Sequence, residues 1–320
     1  MNDPNMRRAL LFHLGVVLLL FVLQFVLPAY HHTNFARIMV LACYAIGYNI
    51  LVGYTGLMSL GHAMFFAAGL YGAGLTIHYF GLPAPVGFML GILAGTGLAI
   101  AVGLVALRTS GVSFMIVTMM IAQACYLATL YFGSVTRGDE GIVLRPEARR
   151  GIFFSLPFDL SNPAIRFNLA LILFAVCIFG ALALVRSEFG RVLVAVRENE
   201  ERTRLLGYDT NRYKLLALAA SGAMAGAAGA MYVLLFSYFG STFASIEYSI
   251  LPLLWVLLGG AGTVVGPFVG TLLMFYIAEF SSEYTSAYKL VVGVVLVLLV
   301  LFFPKGIAGS LRERYAPWLP

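Results

Sequence analysis

The chain alternates long apolar stretches with short polar punctuation. Runs close to 20 residues recur from end to end, each able to cross a bilayer core of about 30 Å as a helix. Their pattern predicts spans at about 9–27, 36–52, 62–80, 86–107, 111–132, 166–185, 214–237, 249–262, 264–281 and 287–303. The two segments beside Gly259–Gly266 are short and read as broken or re-entrant. The turn-punctuated alternation of a membrane β-barrel is absent. The pattern therefore predicts one all-α polytopic membrane domain over residues 1–320, with about 8–10 transmembrane helices.

Composition agrees, with 61% hydrophobic and 11% charged residues, against about 25% charged in a soluble domain. What changes the picture is where the charges fall. Residues 186–214 hold 12 of the 34 charges, seven basic and five acidic, between two apolar spans. Gly190 and Gly207 bracket a helix-favouring run from Arg191 to Leu206, and Gly207 suits the left-handed residue that follows a helix. Glu198 and Arg202, like Glu200 and Arg204, stand four apart in the favourable order. Val192, Val196, Leu205 and Leu206 add apolar surface, and Asp209 or Thr210 can cap the next span. A lipid-surface helix would be more basic than this near-balanced one. Docking on a soluble protein is the better reading.

The same charges orient the chain. With a cytoplasmic amino terminus, 13 of the 20 Lys and Arg fall on the inside, including Arg7, Arg8, Arg108, Lys305, Arg312 and Arg314. The positive-inside rule then places both termini and the charged loop, about 186–213, in the cytoplasm. The first apolar stretch, 9–27, is too long for a typical signal-peptide core and lacks a clear cleavage site, so it reads as a retained span. The longest loop, about 133–165, falls outside. It carries Arg137, Asp139, Glu140, Arg145, Glu147, Arg149, Arg150 and Asp159, with Pro146, Pro157 and Pro163. Loops of that length are often functional.

Several chemistries are missing. There is no GxxxxGK[ST] motif, and the only lysines are Lys214, Lys289 and Lys305. Glu247, Glu279 and Glu283 lie near outer span ends, so the midplane carboxylates common in ion-coupled carriers are absent. His13, His31, His32, His62 and His78 have no Cys, Asp or Glu at ligand spacing. Cys43, Cys125 and Cys177 sit singly in apolar spans. Nothing interleaves aromatic and basic residues as a nucleic-acid site would. Gly87, Gly91 and Gly95, then Gly262, Gly266 and Gly270, repeat every four residues, and Ala219 to Ala230 is small everywhere except Met224. Such faces let helices approach closely in a membrane.

Three blocks then carry a resemblance. They are Gly53-Tyr-Thr-Gly-Leu-Met-Ser-Leu-Gly-His-Ala-Met-Phe-Phe66; Phe189 to Arg202, continuing through Leu206-Gly-Tyr208, Arg212-Tyr-Lys-Leu215 and Ser221-Gly222; and Leu258-Gly-Gly-Ala-Gly-Thr263 with Gly266-Pro267, followed by Phe303-Pro-Lys-Gly-Ile307. In this order and spacing the chain resembles the LivM-type permeases of bacterial branched-chain amino acid ABC importers, over most of residues 40–310. One departure is Leu57, where that family commonly has Gln.

The resemblance implies a multi-pass permease of the bacterial inner membrane that binds no cofactor itself. It implies a second, related permease, two cytoplasmic ATPases holding ATP and Mg, a periplasmic solute-binding protein and the lipid bilayer as partners. The 191–206 segment becomes the ATPase-coupling helix, with Arg191, Arg197, Glu198, Asn199, Glu201 and Gly207 at motif positions. Polar residues in or just before the first block and in the fifth span, namely Asn49, Ser59, His62, Thr118 and Gln123, are candidates to line the translocation path. The competing expectations are a permease for urea or short amides, which resembles the same blocks, and an ion-coupled secondary carrier.

Overall fold

The structure is a computed structural model. It describes residues 4–145, 150–153, 156–160, 162–285, 287–303, 305–316 and 318. In chain order the elements are α1 (Pro4–Val26), α2 (Ala29–Asn49) running into a π-helical turn (Ile50–Thr55), α3 (Ala63–Phe80), α4 (Ala84–Ala106), α5 (Val112–Tyr131) and α6 (Gly133–Thr136). Three short strands follow, β1 (Ile142–Val143), β2 (Arg150–Phe153) and β3 (Leu156–Asp159). Then come α7 (Pro163–Arg186), α8 (Glu188–Glu198), α9 (Glu200–Leu205), α10 (Thr210–Phe236), β4 (Tyr238–Phe239), a 3₁₀ turn (Ser241–Ala244), α11 (Ile246–Gly259), α12 (Gly266–Tyr284), α13 (Tyr288–Phe302) and α14 (Ile307–Tyr315).

Each of the ten predicted spans has a helical counterpart, and the architecture is an all-α polytopic membrane protein. Among the described residues seven helices are long and apolar enough to cross a membrane: α1, α2 with its π turn, α3, α4, α5, α7 and α10. The 14 residues of α11 reach about 21 Å at 1.5 Å per residue, short of a full crossing, as the sequence suggested for this region.

The core is built around α2, where Ile38 to Ile46 is buried without interruption. Large apolar side chains on α1 and α5, such as Leu11, Leu19, Met120 and Leu127, are exposed. In water that would be a liability; facing lipid or another membrane chain it is the expected surface. The small-residue seam of α10 packs on the glycine face of α4. A Cβ added at Gly95 would lie 2.6 Å from Gly226 Cα, so only glycine permits this backbone approach.

The loop at 133–165 is more structured than a solvated connector. β1 pairs antiparallel with β4, Ile142 opposite Phe239 and Val143 opposite Tyr238. Ser241 Oγ donates to Asp139 Oδ1 at 2.5 Å, and Ile142 and Leu144 are buried. These contacts fasten the first half of the loop to the end of α10. β2 and β3 form a hairpin. Pro146, Glu147 and Arg149 lie outside the described residues.

The expected single helix from Arg191 to Leu206 is two helices instead. Asn199 has φ −160° and ψ 101°, which ends α8. Its side chain accepts from Arg202 N at 2.9 Å and so caps α9. Glu200 and Glu201 then fill the first turn of α9, where carboxylates suit the helix dipole. The break separates Glu198 from Arg202, while Glu200 and Arg204 pair at 3.1 Å as the spacing predicts.

Candidate functional site

The sequence blocks 53–66, 189–215 and 258–307 meet at one end of the bundle, beneath α8. Here α2 loosens into the π turn, whose Ile50 carbonyl accepts from Thr55 Oγ1 at 2.8 Å. π segments mark places where a helix is diverted from regular bonding, frequently at functional sites. The diversion presents the Gly53 carbonyl to α8, and Arg197 Nη1 donates to it at 2.5 Å. Gly56, at φ 77°, closes the turn in the left-handed region. A Cβ there would lie 3.1 Å from Arg197 Cγ.

The third block packs against the same point. Asn49, only 1% exposed, clamps the 260–265 turn with both halves of its carboxamide. Nδ2 donates to Thr263 O at 2.9 Å, and Oδ1 accepts from Gly262 N at 3.0 Å. Arg312 of α14 donates to Gly262 O at 2.9 Å. Lys305 pairs with Glu313. Between these groups lies a cavity of about 570 Å³ lined by Arg197, Gly262, Thr263, Lys305, Arg312 and Glu313, among others.

The outer surface of α8 and α9 is polar with a small apolar patch. Arg191, Glu198, Asn199, Glu201 and Gly207 are all exposed. Of the six coupling candidates, Arg197 is the one whose guanidinium turns inward, to Gly53. Gly207 follows α9 at φ 94°, as the sequence predicts. Leu205 and Leu206 are 88% and 72% exposed, large aliphatics that no other described residue covers. Val192, Leu193 and Val196 hold α8 to the bundle by their burial.

Glu200 joins this segment to the spans, a role the sequence reading assigned to no residue. Its Oε2 meets Lys214 Nζ at 2.5 Å, with the lysine side chain 8% exposed. Its Oε1 accepts from Thr210 Oγ1 at 3.1 Å and pairs with Arg204. Burial alone would push this carboxyl up, but the Lys214 ammonium, with Thr210 and Arg204, holds it below the ordinary carboxylate value. Lys214 stands 14 residues from Glu200, beyond any single-helix spacing, so only the fold reveals the pair.

The path candidates are largely committed to internal bonds. Asn49 holds the turn just described. Ser59 is buried, and its carbonyl accepts from Tyr48 Oη at 2.8 Å. His62 is buried with Nε2 3.2 Å from Ser221 Oγ, which donates to Gly47 O at 2.6 Å. Its ring stacks on Tyr44 with centroids 5.5 Å apart. Thr118 is buried and donates to Met115 O at 3.0 Å on its own helix. Gln123, on α5, is half-exposed, while the other four candidates are buried.

An aromatic wall, unnoticed in the sequence, adjoins His62. Tyr44, Phe66, Tyr248, Phe243, Tyr232 and Phe236 are linked ring to ring at 4.7–5.2 Å. Pro252 inside α11 has no N–H, which frees the Tyr248 carbonyl four residues earlier. Tyr44 Oη donates to it at 3.3 Å and ties α2 to α11. Among the described residues no group of three or more His, Cys, Asp or Glu could hold a metal ion.

Comparison with known proteins gives a consistent answer. The family model described as the permease component of branched-chain amino acid transport systems matches residues 33–301. The chain is 29% identical over 298 residues to the high-affinity branched-chain amino acid transport system permease protein LivM of Escherichia coli (strain K12), covering 86% of this chain and 69% of that protein. It is 26% identical over 283 residues to LivH of the same organism, covering 84% and 91%. It is 30% identical over 139 residues to the probable LivM of Methanocaldococcus jannaschii, covering 39% and 40%. No solved structure matches significantly.

Proposed function

The chain belongs to the family of permease components of branched-chain amino acid transport systems, and on that footing we propose that it is the membrane-spanning subunit of an ATP-driven importer for leucine, isoleucine and valine. It works beside a second, related permease; similarity to both a LivM and a LivH protein supports that pairing. Energy comes from two cytoplasmic ATPases that hold ATP and Mg, because this chain has no P-loop. A periplasmic binding protein delivers the substrate. The membrane is the bacterial inner membrane, with both termini cytoplasmic. Residues 1–320 act as one permease domain, and Gln123 faces the path shared with the second permease.

One observation carries the mechanism. The exposed α8–α9 segment is bonded to the bundle by Arg197 at Gly53 and by Glu200 at Lys214. A helix that only covered the lipid surface would need neither bond. Its outer face, with Arg191, Glu198, Asn199, Glu201, Leu205, Leu206 and Gly207, seats in an ATPase groove. ATP binding draws the ATPases together, and the pull reaches the bundle through the two inward bonds. The ATPases can drive the outward- and inward-open states only by binding them with different free energies.

Uptake of labelled leucine and labelled urea, with and without the gene and with and without collapse of cellular ATP, tests this reading. ATP-dependent leucine uptake that disappears with the gene is the expected result. Loss of urea uptake alone, or leucine uptake that ignores ATP but stops with an uncoupler, overturns it. Glu198→Lys combined with Glu201→Lys is expected to abolish uptake at normal membrane levels, and normal uptake by that variant removes the coupling role.

A further inference from the structure

Arg37 is a cation that this mechanism does not use. It lies on α2 eight residues beyond Ala29, about 12 Å along the axis at 1.5 Å per residue. The residues around it, Ala36 and Ile38 to Leu41, are buried and apolar. A guanidinium within a membrane-spanning helix is costly, and such residues characteristically face the bundle interior and meet a partner.

The surroundings of Arg37 define what that partner must be. Its guanidinium carbon stands 4.9 Å from the centroid of Phe236, whose ring lies 4.7 Å from that of Tyr232. Its Nε is buried, with no hydrogen-bond partner among the described residues. A buried N–H left open costs free energy that a hydrogen-bonding anion recovers. Phe236 also ends the aromatic wall, which continues through Tyr232, Phe243 and Tyr248 to Phe66. The site therefore offers a planar cation with an open donor beside a continuous apolar surface.

We propose that Arg37 receives the α-carboxylate of the transported amino acid while its branched side chain lies on the Phe236–Tyr232–Phe243 wall. This rests on the importer reading above and assigns a recognition residue within it. The pairing follows from chemistry. A guanidinium binds a carboxylate with two parallel hydrogen bonds, and ring faces suit aliphatic carbon as well as the substrate ammonium. Arg37 lies 12 residues before Asn49, about 18 Å along the helix. This places the contact toward the end opposite α8, where substrate from a periplasmic binding protein enters.

The test uses the complete importer with its binding protein in liposomes containing ATP, and follows leucine uptake together with ATP hydrolysis. Arg37→Gln is expected to lower uptake by roughly tenfold or more, the worth of a charge-assisted hydrogen bond. Hydrolysis stimulated by the loaded binding protein should persist, and Arg37→Lys should restore part of the uptake. A second measurement uses the unaltered protein, so it does not depend on the folding of a variant. Phenylglyoxal modification of Arg37, read by mass spectrometry on the importer without its binding protein, should be slowed by leucine and not by leucinol, which lacks the carboxylate. Wild-type uptake by Arg37→Gln, or equal protection by leucinol, overturns the assignment and leaves the importer reading intact. A wild-type complex that moves no leucine overturns both.

Discussion

Replacing Asn49 by alanine is the sharpest probe of the joint beneath α8. The substitution removes two hydrogen bonds and leaves the Gly262 N–H and the Thr263 carbonyl without their partner. A buried polar group left unsatisfied costs about 1–3 kcal/mol, which sets an upper range of about 2–6 kcal/mol for the pair. Gly262 and Thr263 also line the neighbouring cavity, and water entering there can replace part of the lost bonding. The lower half of the range, about 2–4 kcal/mol, is therefore expected. At about 2–4 °C per kcal/mol for chains of this order of size, the melting temperature should fall by roughly 4–16 °C. Asn49→Asp keeps the acceptor for Gly262 but turns a second oxygen toward the Thr263 carbonyl, so it should be at least as damaging. Thermal unfolding of the detergent-purified protein, followed by size-exclusion chromatography of heated samples, reads both effects. A melting temperature for Asn49→Ala within about 1 °C of wild type would refute the clamp as a structural element.

Two further outcomes follow from the same region and its packing. Because Glu200 is held below its ordinary carboxylate value, its contribution is fully present above the unfolded value of about 4.3 and is lost as pH falls through the lower folded value. The stability gap between wild type and Glu200→Gln should therefore stay level from about pH 8 to pH 5 and close in stronger acid, as thermal unfolding across that range will show; a gap that widens toward acid contradicts the pairing. Gly226→Val places a β-carbon 3.0 Å from Gly95 Cα and 3.1 Å from Gly91 O. Overpacking of this kind costs about 1–3 kcal/mol or more, and the yield of monodisperse protein should drop well below that of Gly226→Ala.

Span positions were legible because an apolar helix crossing a membrane must satisfy its backbone internally and show lipid an apolar face. That requirement writes length and composition directly into the sequence, and the ends of α3, α4 and α5 lie within a residue or two of expectation. The break at Asn199 was legible in principle, since Asn followed by two glutamates is a cap with an acidic first turn. It was overridden by the helix propensity of the run around it. Tertiary partners were not legible. Nothing local pairs Arg197 with a carbonyl 144 positions away, or Asn49 with a turn more than 200 residues on. Polarity marked Asn49, Ser59 and His62 as path candidates, and polarity does not distinguish a side chain facing a channel from one bonded inside the bundle, as Asn49 is to the 260–265 turn and His62 to Ser221. Arg37 escaped notice for the opposite reason: a single cation at the edge of a predicted span looks like a boundary residue until its aromatic neighbours are seen.

The bonding beneath α8 also constrains how a pull on that segment can travel. Arg197 ties α8 to the end of α2, and the carbonyl it holds belongs to the π turn. Asn49, at the other edge of that turn, holds the loop between α11 and α12, and Arg312 brings in α14. Glu200 makes a separate attachment to the first turn of α10. Displacement of α8 and α9 therefore acts on α2, α10 and the α11–α12 hairpin together rather than on one helix. α10 moves α4 with it, because the Gly95–Gly226 contact leaves no room between their backbones. The π turn is the weakest link, being a departure from regular helix bonding held by Thr55 and Arg197. α2 also carries Tyr44 and Arg37 on the aromatic wall. A hinge at residues 50–55 would change the relation of that wall to the α8–α9 segment while leaving both ends internally rigid, the division of labour that the proposed alternating access requires.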